Sequence, residues 1–171
     1  MTPYLVTPPA ALPVELAALK ADPLLRVIAN DEDAAIMQVQ AGLVADLDGW
    51  KGWLGRCIMP QTWAVDVTGA GPHLLPFPDA SDVTAAADGD PLDVTVTREG
   101  LGQLVAIPDA GARQLVTITA TYGLPETDLP GAKTLITVMV KRHYDAAVGP
   151  DYDAYTRTIQ AQISRLRWRR I

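Results

Sequence analysis

Between Asp31 and Leu54 the apolar positions recur in steps of three and four: Ile36, Val39, Leu43, Leu47, Trp50 and Leu54. That spacing stacks them on one side of an α-helix, which turns every ~3.6 residues. Asn30 is placed as the N-cap, with Asp33 three residues on in the capping-box position. Asp31, Glu32 and Asp33 put negative charge at the positive end of the helix dipole. Gly55 is the expected C-cap, with Arg56 near the negative end. A helix over Asp31–Leu54 would run roughly 36 Å at ~1.5 Å per residue. Gly42, Gly49 and Gly52 each cost up to ~1 kcal/mol relative to alanine. They predict either close packing against a neighbour or a break near Gly49.

Before this helix the chain is proline-rich. Pro3, Pro8, Pro9 and Pro13 favour an extended start, then a short helix over Val14–Ala21 with Leu16 and Leu19 inward. Asp22-Pro23 ends it, and Leu24, Leu25, Val27 and Ile28 form an apolar link onward. After Gly55 the period changes from helical to two. Trp63, Val65 and Val67 share one face of a strand, and Gly69 and Gly71 make a turn. His73–Pro76 is a short extended piece, kept at a sheet edge by Pro76 and Pro78. Further strands follow at Val83–Ala87, Asp93–Arg98 (Val94 and Val96 on one face) and Leu104–Ile107. Leu115–Tyr122, LVTITATY, is the strongest strand, with β-branched residues at period two. Short turns between close strands imply antiparallel pairing. Helical period returns at Pro130, with Ala132, Leu135, Ile136, Met139, Val140 and His143 on one stripe as far as Gly149-Pro150. A last helix, about Asp151–Leu166, carries Tyr152, Tyr155, Ile159, Ile163 and Leu166 inward.

Helices, then strands, then helices define an α+β fold: a helical-bundle body with an inserted antiparallel β-rich module. The expected division is an N-terminal extension and helical body over 1–57, the β insertion over 58–122, C-terminal helices over 123–164, and a tail over 165–171. The 171 residues suffice for a real core, with 49% hydrophobic and 20% charged residues. No apolar run reaches the ~18 residues of a membrane span. The start lacks the basic-then-apolar pattern of a signal peptide, and Cys57 is the one cysteine. These features suggest a protein made in a cytoplasm and not exported.

Charge changes the picture at one end. Residues 1–153 hold all twenty acidic residues and nine basic ones, a net −11, while the last 18 residues hold five arginines and no acid. An acidic body repels nucleic-acid phosphates; a basic tail suits an acidic partner.

Catalytic constellations are not evident. His73 lies in a proline-bounded extended piece and His143 in mid-helix, and neither has a helical i, i+4 histidine partner for a metal. Cys57 reads as a buried structural residue. Ser81 and Ser164 sit in no nucleophile-elbow motif. The run DGDPLD (Asp88, Asp90, Asp93) lacks the ligand spacing of a calcium loop and reads as a hairpin turn. Gly69-Ala70-Gly71 opens no helix, so it is not a phosphate loop. We therefore expect no catalytic residue, cofactor site or metal site, and a protein that is not an enzyme.

The tail is the exception. Arg165, Leu166, Arg167, Trp168, Arg169, Arg170 and Ile171 alternate basic and apolar side chains. Trp and Arg are enriched at binding hot spots. Period-two alternation also suits an extended segment that docks on a partner's sheet or in a groove. These seven residues are the candidate partner-binding set. Two other readings stand beside it: a nucleic-acid-binding protein acting through the basic tail, and a small enzyme on the β module around His73 or an Asp cluster.

Taken in order, several segments resemble the head–tail connector (adaptor) proteins of long-tailed bacteriophages and the related adaptors of gene transfer agents. The early helix ends in LKADPLLRV. The acidic NDED then opens a long helix closing at Gly55-Arg56, and Gln61-Thr62-Trp63 opens the β part. Leu75-Pro76, the strand VTITATYG and the late His143-Tyr144 continue the match over nearly the whole chain. Thr121-Tyr122-Gly123 departs from the Ala-Gly-Tyr-Gly frequent in that family, and the RLRWRRI end is not a general family feature. The resemblance implies a non-enzymatic virion protein of a phage-like neck, assembled in the bacterial cytoplasm. It would form a ring, dodecameric by expectation, beneath the portal protein. That ring would extend the DNA channel and offer a platform for the next neck or stopper protein. Double-stranded DNA would pass through without specific binding, and no membrane would be involved. The tail would then be portal-docking.

Overall fold

The computed structural model describes residues 2–21, 32–100, 102–145 and 152–168. The fold is α+β, and the chain divides into two compact units. One, the β unit, combines residues 1–10 with 59–124; the other, the helical unit, combines 11–58 with 125–171.

Among the described residues the β unit contains eight strands. They are β1 (Tyr4–Thr7), β2 (Gln61–Thr68), β3 (His73–Leu74), β4 (Ala80–Ala87), β5 (Asp90–Leu92), β6 (Thr95–Glu99), β7 (Gly102–Ala106) and β8 (Leu115–Tyr122). They form a five-stranded sheet in the order β1-β2-β8-β4-β5 and a three-stranded sheet in the order β3-β7-β6. Every described pairing is antiparallel. β8, the most β-branched stretch of the chain, lies between β2 and β4. It pairs with β2 without interruption from Gln61↔Tyr122 to Thr68↔Leu115. Period two then does what the pattern predicts. Val65, Val67, Val116 and Ile118 point inward, joined by Ala85, Leu75, Val105 and Ile107 in one core shared by both sheets. Phe77, 1% exposed, stands edge-on to Trp63 and Tyr122 with ring centroids 5.2 and 5.0 Å away. Asp88 and Gly89, both at positive φ (53° and 92°), make the two-residue loop between β4 and β5. Asp-Gly is among the pairs that such a turn favours. Val96 differs from expectation: all of β6 is exposed, and only Val94 of the predicted Val94/Val96 pair packs on the core.

The helical unit contains α1 (Leu16–Ala21), α2 (Asp33–Leu47), α3 (Leu129–Asp145) and α4 (Tyr152–Leu166). α1 begins two residues later than predicted. The Val14 backbone is engaged elsewhere: its N–H donates to Gln40 Oε1 and its C=O accepts from Gln40 Nε2, both at 3.0 Å. Lys20 at the end of α1 reaches Asp33 Oδ1 at 2.7 Å. α3 buries Ala132, Leu135, Ile136, Met139 and Val140 as expected, but His143 is exposed. α4 buries Ile159 and Leu166.

The long helix is shorter than its period suggests. It stops at Leu47, not Leu54. Asp48 is extended (φ −93°, ψ 149°) and Gly49 takes φ 74°, a left-handed value that breaks the helix there. Gly55 is therefore not its C-cap. Of the predicted stripe, Ile36, Leu47 and Leu54 are fully buried, while Val39, Leu43 and Trp50 are half-buried. Glu32 occupies the N-cap position without a side-chain cap bond. The expected cap Asn30, the apolar link Leu24–Ile28 and the Gly149-Pro150 stop lie outside the described residues. A Cβ on Gly42 would meet nothing within 4 Å, so close packing does not explain that glycine. No helix among the described residues is long and apolar enough to cross a membrane.

Candidate functional site

Residues 48–58, which the helical period had assigned largely to α2, form a closed loop. Gly49 N–H donates to Arg56 O at 2.9 Å, Trp53 N–H to Asp46 O at 2.9 Å and Leu54 N–H to Leu47 O at 3.1 Å. The Asp48 carboxylate accepts from Ile58 N–H. Gly52 lies against the Leu47 and Asp48 backbone, where a Cβ would overlap main-chain atoms. Leu54, Cys57 and Ile58 are the buried side chains of this loop, at 0%, 2% and 1% exposure.

This loop holds the root of the C-terminal tail. Trp168 N–H donates to Leu54 O at 2.9 Å. Arg56 Nη1 donates to Leu166 O at 3.3 Å, and Arg56 Nη2 lies 3.1 Å from Asp128 Oδ2. Leu166 is the last residue of α4, so its carbonyl is one that the helix leaves unsatisfied. A cation at that end also complements the dipole. Arg56 was expected near the end of α2; it serves the end of α4 instead. Gly55 takes φ 61°, and a Cβ there would stand 3.2 Å from Trp168 O. Its two properties, left-handed backbone and no side chain, let the tail backbone lie across the loop.

The tail residues thus divide. Leu166 is 1% exposed, buried within its own unit. Arg165 and Arg167 are exposed and Trp168 is half-buried. Arg169, Arg170 and Ile171 lie outside the described residues.

Elsewhere in the helical unit, an apolar hollow of about 320 Å³ is walled by Leu43, Trp53, Met139 and Ile159, with Arg142 and His143 also in its lining. Trp53 is 50% exposed. Sequence reasoning missed this hollow because it depended on Trp53 leaving the helix axis with the loop. In the β unit, His73 Nε2 is 2.9 Å from Gly69 O, so the ring is engaged in its own turn. Among the described residues no three His, Cys, Asp or Glu side chains come together in a group able to hold a metal ion.

No protein-family model matches the chain, and no curated protein matches it. Its fold does have full-length precedent among solved structures. A chain in the structure described as "Virion of native gene transfer agent (GTA) particle" is similar at TM-score 0.70 and 18% identity, covering 100% of this chain and 97% of that one. A chain in "Neck of empty GTA particle computed with C6 symmetry" is similar at TM-score 0.72 and 18% identity, with the same coverage. At that identity the likeness establishes a shared fold across both units.

Proposed function

We propose that this protein is a structural, non-enzymatic head–tail connector of a gene-transfer-agent or phage-like particle. The observation that carries the reading is the end-to-end likeness to a chain of a gene-transfer-agent neck, at TM-score 0.72 over 100% of this chain. The order of the Gly55-Arg56, Gln61-Thr62-Trp63 and VTITATYG segments supports it. In this reading about a dozen copies form a ring beneath the portal, a number that suits a six-fold frame. The acidic body lines or borders the DNA path without trapping phosphates. The next neck protein seats on the far side.

The tail is the portal-docking element. Its root is fastened as far as Trp168 by Arg56 and the Leu54 carbonyl. Arg165, Arg167, Arg169 and Arg170 pair with portal carboxylates or carbonyls, while Trp168 and Ile171 supply apolar anchors. Ring copies bind together, so weak single tails give a lasting joint. The test must spare the root. Arg165→Glu and Arg167→Glu combined with deletion of 169–171 keeps Leu166 and the Trp168 backbone bond. Electron microscopy should then show heads lacking this protein and lacking tails. Normally tailed particles from that variant would remove the docking role.

A further inference from the structure

The outermost strands of an open sheet carry N–H and C=O groups with no partner in that sheet. Brevity, proline, charge or a bulge keeps such an edge from templating new pairing. Among the described residues the four edge strands of the β unit all carry such devices. β5 is three residues long and includes Asp90 and Pro91. β3 is two residues long, with Pro72 before it and Pro76 two positions after. β6 holds Arg98 and Glu99. β1 is four residues long, lies between Pro3 and Pro8, and shifts register between Leu5 and Thr7. β2, next to β1, is built differently. It runs eight residues without proline and pairs with β8 along its whole length. On its other side β1 meets Thr62, Trp63 and Ala64. Those three positions carry no charge, and Thr62, Trp63 and the following Val65 are residue types that favour strand pairing. Further along the same strand Asp66 is exposed and supplies a charge. The half of the β2 edge that lacks its own guard is therefore the half that β1 covers. β1 does this while burying little of itself. Tyr4, Leu5, Val6 and Thr7 are all exposed, and Pro3 just before them is buried. A strand whose side chains stay in solvent contributes chiefly its backbone ladder.

We propose that β1 is a strap that closes the β2 edge. Its backbone occupies the pairing groups of β2 from Thr62 to Ala64. Its own outer edge is too short, too irregular and too closely bounded by proline to pass the template on. The main chain carries the role, so other strand-forming side chains at Leu5 and Val6 serve equally well. Without the strap the core of the unit stays in place, because its members lie on β2, β4, β7, β8 and the segments between strands rather than on β1. The opened β2 edge then accepts any extended chain, including the same edge of another molecule.

Three variants test the strap, by sedimentation velocity over rising protein concentration and by urea unfolding followed by tryptophan fluorescence. Deletion of residues 2–7 keeps cooperative unfolding, but the protein sediments as assemblies larger than the parent's, growing with concentration. The same deletion combined with Thr62→Lys, which sets a charge on the opened edge, restores the parent's sedimentation. Leu5→Thr with Val6→Thr in the full chain keeps the strap's backbone and leaves both sedimentation and unfolding midpoint unchanged. A deletion variant that sediments like the parent at every concentration overturns the proposal, since the edge then needs no cover. Association that Thr62→Lys leaves intact also overturns it, because the contact then lies elsewhere. Loss of cooperative unfolding in the deletion variant, or a large fall in midpoint in the full-length double variant, overturns it too: β1 is then part of what holds the unit together.

Discussion

Gln40 shows how one polar side chain decides a local path. It is fully buried, and both ends of its amide are used on the Val14 backbone. Gln40→Leu keeps the volume but strands one N–H and one C=O, each costing ~1–3 kcal/mol when buried without a partner. A loss of ~2–4 kcal/mol is expected in urea unfolding followed by fluorescence. The glycines predict opposite signs. Gly42 lies within α2 with open space at its Cβ, so Gly42→Ala should stabilise the chain by up to ~1 kcal/mol. Gly55→Ala meets a left-handed φ and the Trp168 carbonyl at 3.2 Å, so it should cost ~1–2 kcal/mol or more. Equal effects of the two substitutions in the same melt would contradict these environments.

At the scale of elements, the 48–58 loop and the end of α4 form one device. Arg56 links the Asp128 carboxylate to the Leu166 carbonyl, and Leu54 receives the Trp168 amide. Arg56→Met retains much of the stem's packing and removes both charged contacts. Hydrogen exchange should then quicken at the Trp168 amide while amides of β8 are unchanged. Unchanged protection at Trp168 would mean that Arg56 does not hold the tail root. In the β unit, Phe77 fills the space between Trp63 and Tyr122. Phe77→Ala leaves a cavity there and should cost ~3–5 kcal/mol. Leu115, 63% exposed at the start of the central strand, should accept Thr within about 0.5 kcal/mol. The contrast separates a strand's core face from its open end.

The whole molecule is read through its charge. Net charge is −6 overall, and the last 18 residues carry five arginines and no acid. A tail used on nucleic acid would bind duplex DNA with a steep salt dependence. On the connector reading, fluorescence anisotropy with a short duplex should show no binding near physiological salt. Tight binding lost sharply as salt rises would favour the nucleic-acid reading instead.

The amino-acid pattern alone determined the α+β class, the position and register-ready alternation of the central strand, the Asp-Gly hairpin and the inward stripe of α3 from Ala132 to Val140. Each depends on neighbours in sequence: period two or 3.6, β-branching, or a turn residue at its own φ. What it left open depends on partners distant in sequence. The end of α2 was one such point, because an amphipathic period continues through Trp50 and Leu54 even when Gly49 turns the backbone away. Arg56 was another: its assignment to a helix end was chemically apt, but the end belongs to α4, 110 residues on. The tail shows the same division. Alternating arginines and apolar residues made it a candidate binding segment, whereas only the tertiary structure decided that Leu166 is buried and that Gly55 gives its backbone room to cross. Folding decided these points because burial and hydrogen-bond satisfaction are set by what packs alongside, and the local sequence does not contain that neighbour.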